Sequence, residues 1–146
     1  MRISTRSRYG MRMMINLAAN FEKGYSFLKD IAKDEGISEK YLSLIVIPLK
    51  SAGLLKTTRG VHGGYILSRH PSKITAQEIV EVLEGDLSLV ECAKDENYCI
   101  KVRNCASHDI WSSISEKIAE FLNSFTLEDI LKLKNEKESE LSDYII

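Results

Sequence analysis

The chain has 146 residues, 44% of them hydrophobic and 28% charged, and a formal net charge of −1. That length suits one domain, or one small domain with an attached arm, and the composition is that of an ordinary globular chain. No apolar run approaches the ~20 residues of a membrane span. The basic start, Met1 to Arg8, lacks the apolar core of a signal peptide. The three cysteines all fall between residues 92 and 105, which is no secreted disulfide framework. The expected compartment is a reducing cytoplasm, with no membrane partner.

The near-zero net charge hides an asymmetry. Residues 1–71 carry 12 Lys and Arg against 5 Asp and Glu, a balance of +7; residues 72–146 carry 8 against 16, a balance of −8. A basic half joined to an acidic one is the pattern of a polyanion-binding module attached to something else.

In chain order, Tyr9, Met13, Met14, Leu17, Ala18 and Phe21 have helical spacing, with Arg2, Arg6, Arg8 and Arg12 clustered at the start and Gly24 at the stop. A second helix fits Leu28 to Glu35, closed by Gly36 as a left-handed C′ residue. Ser38 then suits the N-cap of a third helix from Glu39 to about Ala52, with Tyr41, Leu42, Ile45, Val46 and Leu49 as its apolar set. Pro48 inside it predicts a kink or an early end. Two helices joined by a short glycine-containing turn describe a helix-turn-helix or a generic helical hairpin.

The next segment decides between these. Leu54–Thr58 and Tyr65–Ser68 read as strands around a glycine-rich basic tip, Arg59-Gly60-Val61-His62-Gly63-Gly64. A hairpin directly after the second helix of a helix-turn-helix makes a winged helix. Ser38, Lys40, Tyr41 and Ser43 are then placed to reach base edges, Tyr41 with a competing role in the core. Arg2, Arg6, Arg8 and Arg59 would neutralise phosphates. Gly60 and Gly63 allow close backbone approach, and His62 adds a donor.

A fourth helix starts at a capping box, Thr75 with Glu78, behind the staple residue Ile74, and stops at Gly85. Residues 86–104 show no sustained period. A long amphipathic helix follows from Ala106 to Asn123. Its stripe of Ile110, Trp111, Ile114, Ile118, Phe121, Leu122 and Phe125 is larger than a small chain needs internally. The expectation is a two-fold dimer that buries it. Thr126 caps a last helix to about Leu133, and the charged stretch from Lys134 to Asp143 is expected to fray.

The expected organisation is thus mainly α with a small β-wing: a winged helix-turn-helix DNA-binding domain over residues 1–84, a ligand loop over 85–108, a dimerisation helix and terminal helix over 106–133, and a charged tail over 134–146.

Cys92, Cys99, Cys105 and His108 form the one concentrated set of soft ligands, spaced Cys-x6-Cys-x5-Cys-x2-His. Three thiolates and an imidazole suit zinc or an iron–sulfur cluster. The wide gaps lack the short knuckles of structural zinc sites and suit a loop wrapped round a larger inorganic core. The polar surroundings, among them Glu91, Lys94, Asp95 and Arg103, argue against simple thiol packing. Phosphate-binding loops, zinc-protease helices and nucleophile elbows are absent, so neither an enzyme nor a small-molecule substrate is expected.

The opening Met-Arg-Ile-Ser-Thr-Arg-Ser-Arg-Tyr-Gly, the wing Arg-Gly-Val-His-Gly-Gly-Tyr and the three-cysteine loop together resemble the IscR/NsrR/CymR-type winged-helix regulators, to about residue 133. The resemblance implies a homodimer on palindromic double-stranded promoter DNA. In its cluster-bearing branch Cys92, Cys99 and Cys105 match the three loop cysteines, and His108 matches the fourth ligand of the IscR-like members, which bind a 2Fe–2S cluster. Nitric-oxide-sensing members complete a 4Fe–4S cluster with an acidic residue where this chain has Arg8. The resemblance therefore favours 2Fe–2S. The first cysteine gap is one residue longer than in the IscR pattern, which keeps 4Fe–4S open. Ser43-Leu44 stands where many relatives have Glu-Gln, and Val61-His62 replaces the usual Pro and small residue, so a different operator is expected.

The expectation is an iron–sulfur-dependent transcriptional regulator, a repressor, switched by cluster gain, loss or redox change. The alternatives are a winged-helix regulator with a structural zinc or a thiol redox switch, and a protein-interaction module with no DNA partner.

Overall fold

The computed structural model describes residues 2–60 and 63–145. Its helices are α1 (Thr5–Ala19), α2 (Leu28–Glu35), α3 (Glu39–Ser51), α4 (Ala76–Glu84), the short α5 (Glu91–Lys94), α6 (Ala106–Asn123) and α7 (Leu127–Tyr144). One antiparallel hairpin, β1 (Leu55–Thr58) with β2 (Gly64–Leu67), lies between α3 and α4.

The helix ends follow from side-chain caps. Ser4 and Ser38 accept the N–H groups of Ser7 and Tyr41. Thr75 and Thr126 each close a reciprocal capping box, with Glu78 and Asp129; such a cap is worth ~1 kcal/mol. Gly36 ends α2 at φ 62°, ψ 37°, a left-handed conformation that an L side chain adopts only at a cost. α3 runs three residues past Pro48, to Ser51. The carbonyl that loses its partner there belongs to Leu44, an exposed residue that water can satisfy.

The core lies where α1 meets α2, α3, α4 and the hairpin. Met13, Met14, Leu17, Ile31, Leu42, Ile45, Leu49, Ile74 and Ile79 are essentially fully buried. Each large apolar side chain contributes ~1.5–3 kcal/mol by leaving water. The hairpin is pinned to this core on two sides. Leu55 and Leu67, paired in register, bury inward. Ser26 and Tyr65 exchange two backbone hydrogen bonds of 2.8 Å, which ties β2 to the segment between α1 and α2.

The end of the chain departs from expectation. The stretch from Lys134 onward continues α7 to Tyr144 instead of fraying. It has no Gly or Pro, and Ile130, Leu133 and Leu141 lie beside Ile15 and the aliphatic parts of Arg12 and Lys137. The start of α7 also returns to the first domain. Leu127 is fully buried in the core, and its N–H donates to the Ile74 carbonyl at 2.9 Å while the Ala76 N–H donates to Phe125. No helix among the described residues is long and apolar enough to cross a membrane.

One polar contact joins the start of α1 to the end of α4. The Ser4 N–H donates to Glu84 Oε1 at 2.7 Å. Hydrogen bonds from Ser4, then Ser7, hold the Glu84 carboxyl below the usual glutamate range. A depressed carboxylate adds stability that is present above its unfolded value, about 4.3, and is lost as pH falls through the folded value. Glu84→Gln should therefore lower the thermal midpoint at neutral pH and meet the parent's at low pH, which flattens the acid limb of a thermal-midpoint versus pH curve. An acid limb as steep as that of the parent would remove this contact from the account.

Candidate functional site

The elements that the sequence assigns to DNA contact are α3 and the hairpin tip. Ser38, Lys40 and Ser43 are exposed at the start of α3. The Ser38 hydroxyl oxygen is occupied as the N-cap, at 3.1 Å from the Tyr41 nitrogen, and the Ser43 hydroxyl donates to the Lys40 carbonyl. Tyr41 is half-buried and meets Tyr9 edge-on, with centroids 5.6 Å apart and planes at 84°. Its ring is thus part of the α1–α3 packing. The Arg8 and Arg12 guanidinium carbons stand 5.9 and 5.8 Å from the Tyr9 ring centroid, a cation–π distance.

Arg12 is further held by Glu35, Nε to Oε2 at 3.2 Å, next to the buried Asn16, whose Nδ2 donates to Glu35 Oε1 at 3.1 Å. These contacts fix α2 against α1 and so set how α3 is presented. Arg2, Arg6 and Arg8 remain exposed at the start of the chain.

At the hairpin tip Arg59 and Gly60 are exposed, and the Gly63 N–H donates to the Gly60 carbonyl at 3.0 Å. Gly60 has φ +110°, and a Cβ on Gly63 would lie 2.7 Å from the Thr58 carbonyl oxygen. Both positions therefore need glycine. His62, expected beside them, lies outside the described residues.

Sequence reasoning missed two residues on this face. Leu44 and Ile47 are 58% and 60% exposed on α3. The signal was available: they alternate with the buried set Leu42, Ile45, Val46 and Leu49 at helical spacing, so they must point away from the core.

The loop with the four candidate ligands connects α4 to α6. Cys92 lies in α5, Cys99 in the stretch after it, and Cys105 is the N-cap of α6; all three are free and half-buried. Cys105 Sγ accepts the His108 N–H at 3.4 Å, and His108 Nε2 is 3.3 Å from the Ser112 hydroxyl. His108 Nδ1 is buried with no hydrogen-bond partner. A buried nitrogen without a partner is costly, and it is the atom a soft metal would take up. The donor chemistry thus fits a metal or cluster, with Cys105 as the N-cap and His108 in the first turn of the same helix. Among the described residues no three His, Cys, Asp or Glu side chains are gathered closely enough to hold a metal ion.

Three comparisons bear on this arrangement. The family model described as "Rrf2: Iron-dependent Transcriptional regulator" matches residues 3–133. The HTH-type transcriptional regulator CymR of Bacillus subtilis (strain 168) is 41% identical over 99% of this chain and 100% of its own. The solved structure of CymR superposes with a TM-score of 0.77 over 91% of this chain and 98% of that one. The structure of T. potens IscR, at 36% identity, gives 0.74 over 94% and 90%. With a family match over most of its length, a winged helix and relatives that regulate transcription, the chain belongs to the Rrf2 family of DNA-binding transcriptional regulators and is not an enzyme.

Proposed function

We propose that the protein is a cytoplasmic homodimeric repressor whose DNA binding depends on an iron–sulfur cluster held by Cys92, Cys99, Cys105 and His108. The observation that carries the cluster reading is the buried, unpartnered Nδ1 of His108, in the first turn of the helix that Cys105 caps. The helix N-terminus there favours anionic thiolates. A cluster supplies a centre that oxygen, reductants or iron supply can change. The chain's own part is mechanical. The loop runs from Gly85, next to the Ser4–Glu84 contact, to the first turn of α6, so its closure bears on both the DNA arm and α6. Operator contact falls to Arg2, Ser38, Lys40, Ser43, Arg59, Gly60 and Gly63, with Tyr41 orienting α3 from its half-buried position.

A 2Fe–2S cluster is the preferred form, since Arg8 offers no carboxylate as a further ligand. A second reading, a thiol redox switch without iron, draws support from the three free, ungathered thiols.

Purification without oxygen separates the readings. The expected product is coloured, with visible absorption and two irons and two sulfides per chain. A colourless protein with one zinc per chain overturns the cluster, and a metal-free protein whose operator affinity follows thiol oxidation favours the switch. Operator binding should fall steeply with salt, as phosphate neutralisation requires.

A further inference from the structure

We infer that Leu44 reads the C5-methyl group of a thymine in the major groove, with Ile47 extending the same apolar strip, so that α3 selects its operator partly by methyl contact. The inference deepens the DNA-binding reading and rests on it.

The exposed edge of α3 runs through Lys40, Ser43, Leu44, Ile47 and Lys50, while Leu42, Ile45, Val46 and Leu49 are buried beneath it. A single exposed leucine is unremarkable on a protein surface. Here two large apolar side chains, three residues apart, lie bare on the helix that follows the turn of a helix-turn-helix. Cationic side chains stand at either end of the strip. This placement favours a ligand that is anionic at its rim and carries apolar groups at its centre. A duplex major groove fits: phosphates flank it, and thymine methyls are its apolar features.

The dimensions agree. Residues three apart are separated by ~4.5 Å along a helix axis, and successive bases on one strand by about 3.4 Å. The strip therefore spans one to two base-pair steps. Ser43, with its hydroxyl turned to the Lys40 carbonyl, presents oxygen lone pairs beside it. Neither Leu44 nor Ile47 is able to hydrogen-bond a base edge. What they distinguish is thymine from every base that lacks a methyl, which includes uracil, whose major-groove edge is otherwise identical.

The experiment uses the full-length protein purified without oxygen, in cluster-loaded and metal-stripped forms. An operator is first selected from a duplex library with a randomised centre. Each thymine in the selected sequence is then replaced singly by deoxyuridine, and binding is measured for the parent and for Leu44→Ala. The parent should lose about fourfold in affinity at one or two positions, the effect of ~0.8 kcal/mol for one buried carbon. Leu44→Ala should bind the thymine and uracil versions of those positions equally, and its own selected operator should relax there. Because Leu44 is exposed, the variant should keep the parent's thermal midpoint. A parent indifferent to every thymine-to-uracil change overturns the inference, as does a Leu44→Ala protein that keeps the full uracil penalty. A Leu44→Ala protein with unchanged operator selection assigns the strip to a protein partner and likewise overturns it. If no sequence is enriched from the library in either form, the DNA-binding reading fails first, and that outcome is distinct from an enriched operator without methyl dependence.

Discussion

Cys99→Ala, purified without oxygen, should lack visible absorption and bound iron yet remain a folded protein with the parent's helix content. The first half of this result follows from the ligand set. Losing one of three thiolates leaves two thiolates and one imidazole, too few for a four-ligand centre. The second half follows from where the core lies. No residue between Leu83 and Leu127 belongs to the main buried cluster. The loop can therefore change state without opening the core beneath it. Cys99 is the informative choice among the three. Cys105 also accepts the His108 N–H as the N-cap of α6, so its removal would unsettle the helix start as well. Cys92 lies within α5.

The operator affinity of Cys99→Ala should differ from that of the cluster-loaded parent by a factor of about 5–150, the usual range of coupling between two sites. It should match that of the metal-stripped parent. Absorption, iron content, far-ultraviolet circular dichroism and operator titration read all of this. An unfolded variant would make the site a structural brace. A folded variant with unchanged iron would move the ligand set elsewhere.

Much of this layout was legible in the sequence because the relevant signals are local. Ser38, Thr75 and Gly36 each set a helix end through one cap or one backbone conformation, and α2 and α6 have the bounds that their periodicity predicts. The hairpin was read from its glycines. What the sequence hid was set by tertiary packing. The charged stretch from Lys134 to Asp143 has the composition of a loose tail. It continues as helix because a capping box starts α7 and its sparse apolar residues, Ile130, Leu133 and Leu141, recur on one edge beside Ile15. The return of Leu127 to the core depends on the bridge between Thr75 and Thr126, residues distant in the chain. At the candidate site the four proposed ligand residues stand out by type and spacing. The contact between Cys105 and His108 was also predictable, since they lie one helical turn apart. The positions of Cys92 and Cys99 were not, because residues 86–104 carry no period from which geometry can be read.

Ile114→Glu should convert the protein to a monomer and abolish operator binding at concentrations where the parent binds fully. α6 turns its small and polar edge to its own domain. Ser115 is buried, accepts the Leu89 N–H at 2.9 Å, and lies with Ser112 and Ala119 near the end of α4. Large apolar residues lie off that edge: Ile110, Ile114 and Phe121 are exposed in the single chain, Phe121 by 66%, and Trp111 is partly exposed beside Leu89 and Val90. In the proposed homodimer a second copy would cover the outward apolar stripe of this 18-residue helix. Ile114 lies mid-helix, so a two-fold axis near the middle of α6 would bring both copies of the substitution into the interface. Each buried, unpaired carboxylate there costs on the order of 3 kcal/mol. Symmetry applies that cost twice, which raises the dimer dissociation constant by about 10⁴. The chain itself should fold as before, since Ile114 contributes nothing to the main core. A monomer that holds one half-site loses the second set of base and phosphate contacts, and with it most of the specific affinity. Sedimentation and operator titration of the same samples test both halves of the claim. If Ile114→Glu remains dimeric with parental affinity, the α6 stripe is not the interface, and the proposed coupling of the loop to the DNA arm has to run through another surface.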